Sequence, residues 1–166
     1  MTRRAPMRSP LAMAAMTLVA ALAAACGDAA PSGPPRIRLG RDECAACKMS
    51  VVDERCAAGA LVEDAEGVRH LVFDDIRCLL LYARGHEDAV FRGRWVQDYR
   101  RGGWLDAASA RFLLGSRVRT AMGSGIVAVA PTGDAAADEA EFGGRAGDWT
   151  ALQSWRMTDA TDPATR

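Results

Sequence analysis

The feature that most restricts the fold and function of this chain is a short cysteine-rich stretch at residues 44–56, CAACKMSVVDERC. It brings Cys44, Cys47 and Met49 within six positions, so that two thiols and a thioether can reach one small ion. Sulfur ligands are polarisable and favour soft metals such as Cu(I), whereas Mg²⁺ and Ca²⁺ require oxygen ligands. The stretch therefore predicts a soft-metal site.

A CxxC pair has other uses, and three alternatives stay open. A redox dithiol of the thioredoxin type follows a hydrophobic strand and starts a helix, but the flanks here are charged (RIRLGRDE) or β-branched (MSVV). A structural zinc site needs four ligands in a tight pattern, and Cys56 and Cys78 are distant in sequence. The third alternative is that these four cysteines form two disulfides, as in many exported proteins.

Met49 favours copper over these alternatives. Side chains at positions i and i+2 share a face in an extended chain, so Cys47 and Met49 can converge on one ion without a turn. A thioether has no proton to lose, so an ion bound through it stays exchangeable. The competing role for Met49 is that of a buried core residue.

The first 25 residues predict an export signal. Three arginines and no acid precede an apolar run at residues 11–25, which is shorter than the roughly 20 residues of a membrane span. The run ends in AAAC, which resembles the lipobox of bacterial lipoproteins, although Leu22 lies one position further from the cysteine than is usual. We expect lipidation at Cys26, and therefore a periplasmic, membrane-anchored lipoprotein.

Removing the signal peptide changes the net charge from 0 to −3. The mature chain has no basic stripe, which disfavours a nucleic-acid partner. Residues 26–40 are rich in proline, glycine and small side chains and predict a flexible linker. Residues 41–156 suit a single domain, and residues 157–166 form a polar tail.

A β-hairpin and a helix are predicted after the cysteine stretch. Apolar runs at residues 56–62 and 68–73 flank the turn-like EDAEG. One of the two aspartates in FDDIRC then caps a helix that continues to Arg84. Cys78 lies off the apolar stripe of this helix, so it either packs on a second buried face or turns towards a site.

The second half repeats strands and a helix. Residues 89–99 and 126–130 predict strands, Asp106 is placed to cap a helical turn over residues 107–114, and residues 134–143 have clear start and stop signals for a helix. This order of elements predicts an α+β fold with a mostly antiparallel sheet.

The sequence lacks two common catalytic motifs. The chain has two histidines, His70 and His86, and neither GxSxG nor HExxH occurs. We therefore predict a binding protein and not an enzyme.

Five sequence blocks occur in a familiar order: CAACKM, FDDIRCLL, VQDY, WLDA and MGSGIVAV. Over residues 40–155 they resemble the NosL family of copper-binding lipoproteins, which are accessory proteins of nitrous oxide reductase. The resemblance implies a Cu(I) chaperone that delivers copper to the reductase or its maturation machinery, with a fold of two β-β-α-β modules. The alternative is an exported thiol-disulfide redox protein, or a disulfide-stapled binding protein, that uses the CxxC.

The resemblance also implies a ligand set of a cysteine, a methionine and a histidine. Cys47 and Met49 fill the cysteine and methionine of the family's block, and Lys48 stands where the family commonly has glycine. His70 is the favoured third ligand, and Met122, beside a glycine in a loop, is its rival. The candidate metal ligands are therefore Cys44, Cys47, Met49, His70 and Met122.

Overall fold

The computed structural model describes residues 31–156. The predicted signal peptide, the lipidation site at Cys26 and the polar tail lie outside these residues. No helix within the described range is long and apolar enough to cross a membrane.

The described chain forms seven strands and three helices. In the first module these are β1 (Ala58–Asp64), β2 (Gly67–Phe73), α1 (Ile76–Gly85), β3 (Val90–Gln97) and β4 (Trp104–Asp106). In the second module they are β5 (Arg111–Leu114), β6 (Val127–Val129), α2 (Ala135–Phe142), β7 (Arg145–Gly147) and α3 (Trp149–Ser154). A 3₁₀ turn, Glu54–Cys56, precedes β1.

The two modules follow the same path. The first sheet has the strand order β2-β1-β3-β4 and the second β6-β5-β7, and all pairs within them are antiparallel. In each module the first strand is central, the second lies on one side, and the strand after the helix lies on the other. The prediction of an α+β fold with two β-β-α-β modules is thus confirmed.

The hairpin and the helix at its end form where the sequence patterns place them. Ala58 and Ala60 face the core from β1 and pair with Phe73 and Leu71 of β2. The carboxylate of Asp75 accepts a hydrogen bond from the Arg77 amide and caps α1. This N-cap satisfies a backbone donor that the helix leaves without a partner.

The predicted helical turn over residues 107–114 is wrong beyond its first residues. The Asp106 carboxylate accepts a hydrogen bond from the Ala108 amide at 2.8 Å, but only one turn follows before β5 begins. β5 is the central strand of its sheet and buries Phe112, Leu113 and Leu114. An aspartate favours both turns and helix starts, so Asp106 does not specify a helix. Pairing with a strand on each side makes the following residues the strand β5.

The two sheets share one core. Phe112, Leu114 and Ile126 of the second module belong to the same buried cluster as Phe73 and Leu79 of the first. An isolated parallel bridge between Asp98 and Ala128 joins the end of β3 to β6. The shared core fixes the start of α1 against the second module.

Candidate metal centre

Four potential metal ligands converge beside the start of α1. The sulfur atoms of Cys44, Cys47 and Cys78 and a carboxylate oxygen of Asp74 all lie within 4.8 Å of one another. Cys44, Asp74 and Cys78 are buried, and Cys47 is partly exposed. We call this group the thiol cluster.

Two of its ligands come from a hydrogen-bonded loop at residues 40–51. The Gly40 amide donates to the Val51 carbonyl, which closes the loop, and the Cys44 amide donates to the Met49 carbonyl, both at 2.8 Å. The Ala45 amide donates to the Val72 carbonyl at 2.9 Å and ties the loop to the end of β2. These backbone bonds hold both cysteines of the CxxC beside the sheet.

The other two ligands come from the junction of β2 and α1. Asp74 directly follows β2, and Cys78 lies in the first turn of α1. Asp74 is 2 % exposed and Cys78 is fully buried. Asp75 is therefore the aspartate that caps α1, whereas Asp74 is a buried acid beside the cysteines.

Asp75 anchors the second module next to the cluster. Its carboxylate accepts hydrogen bonds from the Thr120 hydroxyl at 2.7 Å, the Ser124 hydroxyl at 2.8 Å and the Met122 amide at 3.0 Å. The Arg77 amide is the fourth donor to this carboxylate, so the buried oxygen atoms of Asp75 all have partners. The loop at residues 120–124 is thereby fixed to the residue that follows Asp74.

The sulfur atoms of the cluster differ in their protonation. The Cys78 thiol donates a hydrogen bond to the Cys44 sulfur, and this bond is the main cause that lowers the pKa of Cys44 to about 6. Backbone N–H groups of Cys47, Asp74 and Ala46 also lower this pKa, whereas burial opposes the shift. The same hydrogen bond, together with burial, raises the pKa of Cys78. The free cluster thus has a thiolate at Cys44 near neutral pH, which is the form that binds metal.

Cys47 is held in its protonated form. Burial is the main cause that raises its pKa, and the neighbouring Cys44 and Asp74 charges add to it. Its thiol donates to Asp74 Oδ1 at 3.5 Å. A metal that binds Cys47 must therefore displace its proton, as thiolate ligation requires.

Met49 lies on the surface, two positions after Cys47, and its carbonyl accepts a hydrogen bond from the Cys44 amide. Its side chain is 57 % exposed, so the alternative of a core methionine is wrong. The chain at Lys48 is left-handed, with φ 64, and not extended, so the argument that Cys47 and Met49 share a face of an extended segment does not apply. Glycine adopts this conformation without strain, which explains why glycine suits the position of Lys48.

His70 does not belong to the thiol cluster. Leu71 and Phe73 face the core with the cysteines, and alternate residues of a strand point to opposite faces, so His70 lies on the other face of β2. Its Nε2 contacts the Gly33 carbonyl at 2.9 Å. Met122, the rival, has a partly buried side chain packed against the core.

Asp74 and Cys78 are the cluster members that the sequence patterns did not nominate. The signal for Cys78 was its position off the apolar stripe of α1, which left open whether it packs on a second buried face or turns towards a site. Asp74 and Cys78 are four positions apart across the helix start, which lets both side chains face one point. The positions of Asp74 and Cys78 in the sequence do not identify them as ligands, because the cluster forms only where the loop at residues 40–51 packs beside them.

The fold and the cluster define a small two-module α+β protein with a thiol-rich candidate metal centre. A family model described as NosL matches residues 38–155, so the chain belongs to the NosL family. Among solved structures, it resembles the crystal structure of the copper chaperone NosL from Shewanella denitrificans, with a TM-score of 0.62 and 21 % sequence identity, over 75 % of this chain and 98 % of that one. No curated protein matches the sequence.

Proposed function

We propose that this protein is a copper chaperone that binds Cu(I) at the thiol cluster and Met49 and passes it to nitrous oxide reductase or its maturation machinery. The observation that carries the proposal is the convergence of three cysteine sulfurs, one of them from Cys47, two positions before the exposed Met49. Membership of the NosL family and the shared fold with a copper chaperone support it.

The ligand types favour the monovalent ion. Cu(I) prefers soft sulfur ligands, and the described residues offer thiols at Cys44, Cys47 and Cys78 with a thioether at Met49. No histidine lies in the cluster. A site dominated by sulfur stabilises Cu(I) relative to Cu(II), which prefers nitrogen and oxygen ligands.

The gradient of exposure suits transfer of the ion. Cys44 is buried and Cys47 is partly exposed, while Met49 is largely exposed. A recipient can therefore approach the ion from the Met49 side while the buried thiolate still holds it. We propose Cys47 and Met49 as the exchanging ligands for this reason.

The localisation that we propose places this transfer at a membrane surface. The signal peptide and Cys26 would anchor the protein in the periplasm, and residues 26–40 would let the domain reach a partner. This arrangement brings the copper donor, the carrier and the recipient into one compartment.

Anaerobic titration of the reduced full-length protein with Cu(I), against a chromophoric Cu(I) chelator, tests the binding. We expect one tightly bound equivalent, and we expect Cys47→Ser to weaken the affinity by more than about tenfold, or about 1.4 kcal/mol. Cys56→Ala is the matched control, because Cys56 is buried outside the cluster, and it should bind as the wild type does. Equal affinity in both variants, with ready cycling of the dithiol by a thiol oxidant, would favour the redox alternative.

Delivery needs a separate experiment in the native host. Deletion of the gene should lower nitrous oxide reduction and the copper content of the reductase, and the wild-type gene should restore both. A Cys47→Ser copy should fail to restore them, whereas a Cys56→Ala copy should succeed. Normal reductase in the deletion strain would exclude this recipient.

A further inference from the structure

A groove of about 270 Å³ lies along one side of α1, and we call it the α1 groove. Its apolar floor joins the helix to the second module: α1 supplies Leu80 and Leu81, Ile126 directly precedes β6, and Trp155 directly follows α3. Leu80 and Ile126 are buried, whereas Leu81 is 44 % exposed. An apolar side chain that enters the groove therefore removes further apolar surface from water, which is favourable.

The rim of the α1 groove is basic. Arg77 and Arg84 lie on the same side of α1 as the two leucines, since residues three, four and seven positions apart share a helix face, and Arg156 also lines the groove. Within residues 31–156 no acidic residue lines it. The chain without residues 1–25 has a net charge of −3, so the groove differs in sign from the molecule as a whole.

Hydrogen-bond donors at the groove are only partly used. Among the described residues, no acidic side chain pairs with Arg77. The Arg84 guanidinium donates to the Gln153 carbonyl at 2.8 Å, which uses one of its five N–H donors. The indole N–H of Trp155 is buried and has no acceptor in the same range, which is uncommon for a buried polar group. A ligand that carries acceptors therefore matches the groove.

The separation of the two arginines restricts the kind of ligand. Arg77 and Arg84 are seven positions apart in α1, which is about 10 Å along the helix. A single small anion such as phosphate cannot bind both at once, whereas carboxylates on either side of an apolar residue can, and a guanidinium binds a carboxylate through two parallel hydrogen bonds. A flat lipid surface cannot fill a concave floor, but a side chain can.

We propose that the α1 groove binds an acidic segment of a partner protein. The segment places an apolar side chain on Leu81 and Trp155, and its carboxylates pair with Arg77 and Arg84. The inference does not depend on the copper proposal, because no member of the thiol cluster lines the groove. Since the charged contacts are exposed, added salt weakens the binding.

An NMR titration of the full-length protein, isotope-labelled at its tryptophans, tests the groove with the acetylated and amidated peptide GDELLDEG. We expect saturable binding that shifts the indole N–H signal of Trp155, which Trp155→Phe identifies. The affinity should fall by at least about tenfold in Arg77→Glu/Arg84→Glu and for the uncharged peptide GNQLLNQG. Arg101→Glu/Arg145→Glu is the matched control and should bind as the wild type does, because both residues are exposed and neither lines the groove.

A milder variant separates binding from folding. Arg77→Gln/Arg84→Gln keeps polar side chains and should give a smaller loss of affinity in the same direction, while circular dichroism reports an intact fold. Absence of saturable peptide binding to the wild type, or an equal loss in the groove and control variants, would overturn the inference.

Photo-crosslinking in the native host identifies the natural occupant. A benzophenone amino acid in place of Leu81 should join a peptide of another protein that has acidic residues on both sides of an apolar one, and Arg77→Glu/Arg84→Glu should remove this product. Crosslinking to residues 157–166 of the same chain, to a second copy of the protein or to lipid would instead overturn the inference. Each of these outcomes leaves the copper proposal as it stands.

Discussion

The Cys47 sulfur and the Asp74 carboxylate lie 3.5 Å apart although they are 27 positions apart in sequence. A loop supplies one and the start of a helix the other, so the geometry of the site depends on how these segments are anchored. The anchoring residues should therefore matter for stability as much as the ligands do for binding.

Asp75→Asn should destabilise the protein markedly. An asparagine offers one acceptor oxygen where the carboxylate now accepts from Thr120, Met122, Ser124 and the Arg77 amide. We expect the free energy of unfolding in urea to fall by about 2 kcal/mol or more, because buried donors lose their partner. Asp88→Asn, at an exposed position, should change it by less than about 0.5 kcal/mol, and an equal loss in both variants would contradict the role of Asp75.

Lys48→Gly should stabilise the loop at residues 40–51 relative to Lys48→Ala. Both variants remove the ammonium that bonds to the Ala45 carbonyl, but only glycine relieves the left-handed backbone at φ 64. Since that conformation costs an L-residue about 1–2 kcal/mol and glycine loses more entropy on folding, we expect Lys48→Gly to be more stable by about 0.5–1 kcal/mol. Thermal unfolding of the two variants measures the difference, and equal stability would show that the backbone at this position is not strained.

Asp138 should give the protein an acid-sensitive contribution to stability. Burial alone would raise its pKa, but hydrogen bonds from Arg100 at 2.8 Å and Arg111 at 2.6 Å outweigh burial and lower the pKa of Asp138. A carboxyl whose pKa is lower in the folded state stabilises it above the unfolded pKa, and the stabilisation is lost as the pH falls through the folded value.

Asp138→Asn should accordingly lower the free energy of unfolding at pH 7 by about 2 kcal/mol, and the difference from wild type should shrink as the pH falls below 4. Glu141→Gln removes a more exposed partner of Arg100 and should cost less than about 1 kcal/mol. Urea unfolding across pH 2–8 measures both variants. A constant difference over this range would contradict the assignment.

The proposed membrane anchor predicts a modified residue. Mass spectrometry of the mature protein from its native host should find acyl chains on an N-terminal Cys26, with residues 1–25 removed. Cys26→Ser should release the protein from the membrane fraction. An unmodified N-terminus at another position would refute the lipoprotein proposal.

The regular elements were predictable because their signals are local. Asp75 and Asp134 start their helices as the capping patterns indicate, and the apolar runs at residues 56–62 and 68–73 around EDAEG form the hairpin. β5 was missed because its state depends on two neighbouring strands that the sequence does not place. Residues 145–154, which form β7 and α3, were not predicted, although Asp148 caps α3 as Asp75 and Asp134 cap their helices.

The candidate site was predictable only for the residues that are close in sequence. Cys44 and Cys47 were nominated by their spacing, and both belong to the thiol cluster. Asp74 and Cys78 reach the cluster through the hydrogen bond that ties Ala45 to Val72 and through the placement of α1, which are long-range contacts. His70 remains a predicted ligand, but the thiol cluster does not include it, because alternation along β2 places it on the face opposite to Leu71 and Phe73.

X-ray absorption at the copper edge of the Cu(I)-loaded protein tests the central claim most directly. The account predicts a monovalent ion whose nearest neighbours are sulfur atoms, with one sulfur fewer in Met49→Leu and a further change in Cys47→Ser. A shell dominated by nitrogen or oxygen, or a sulfur shell that neither variant alters, would contradict it.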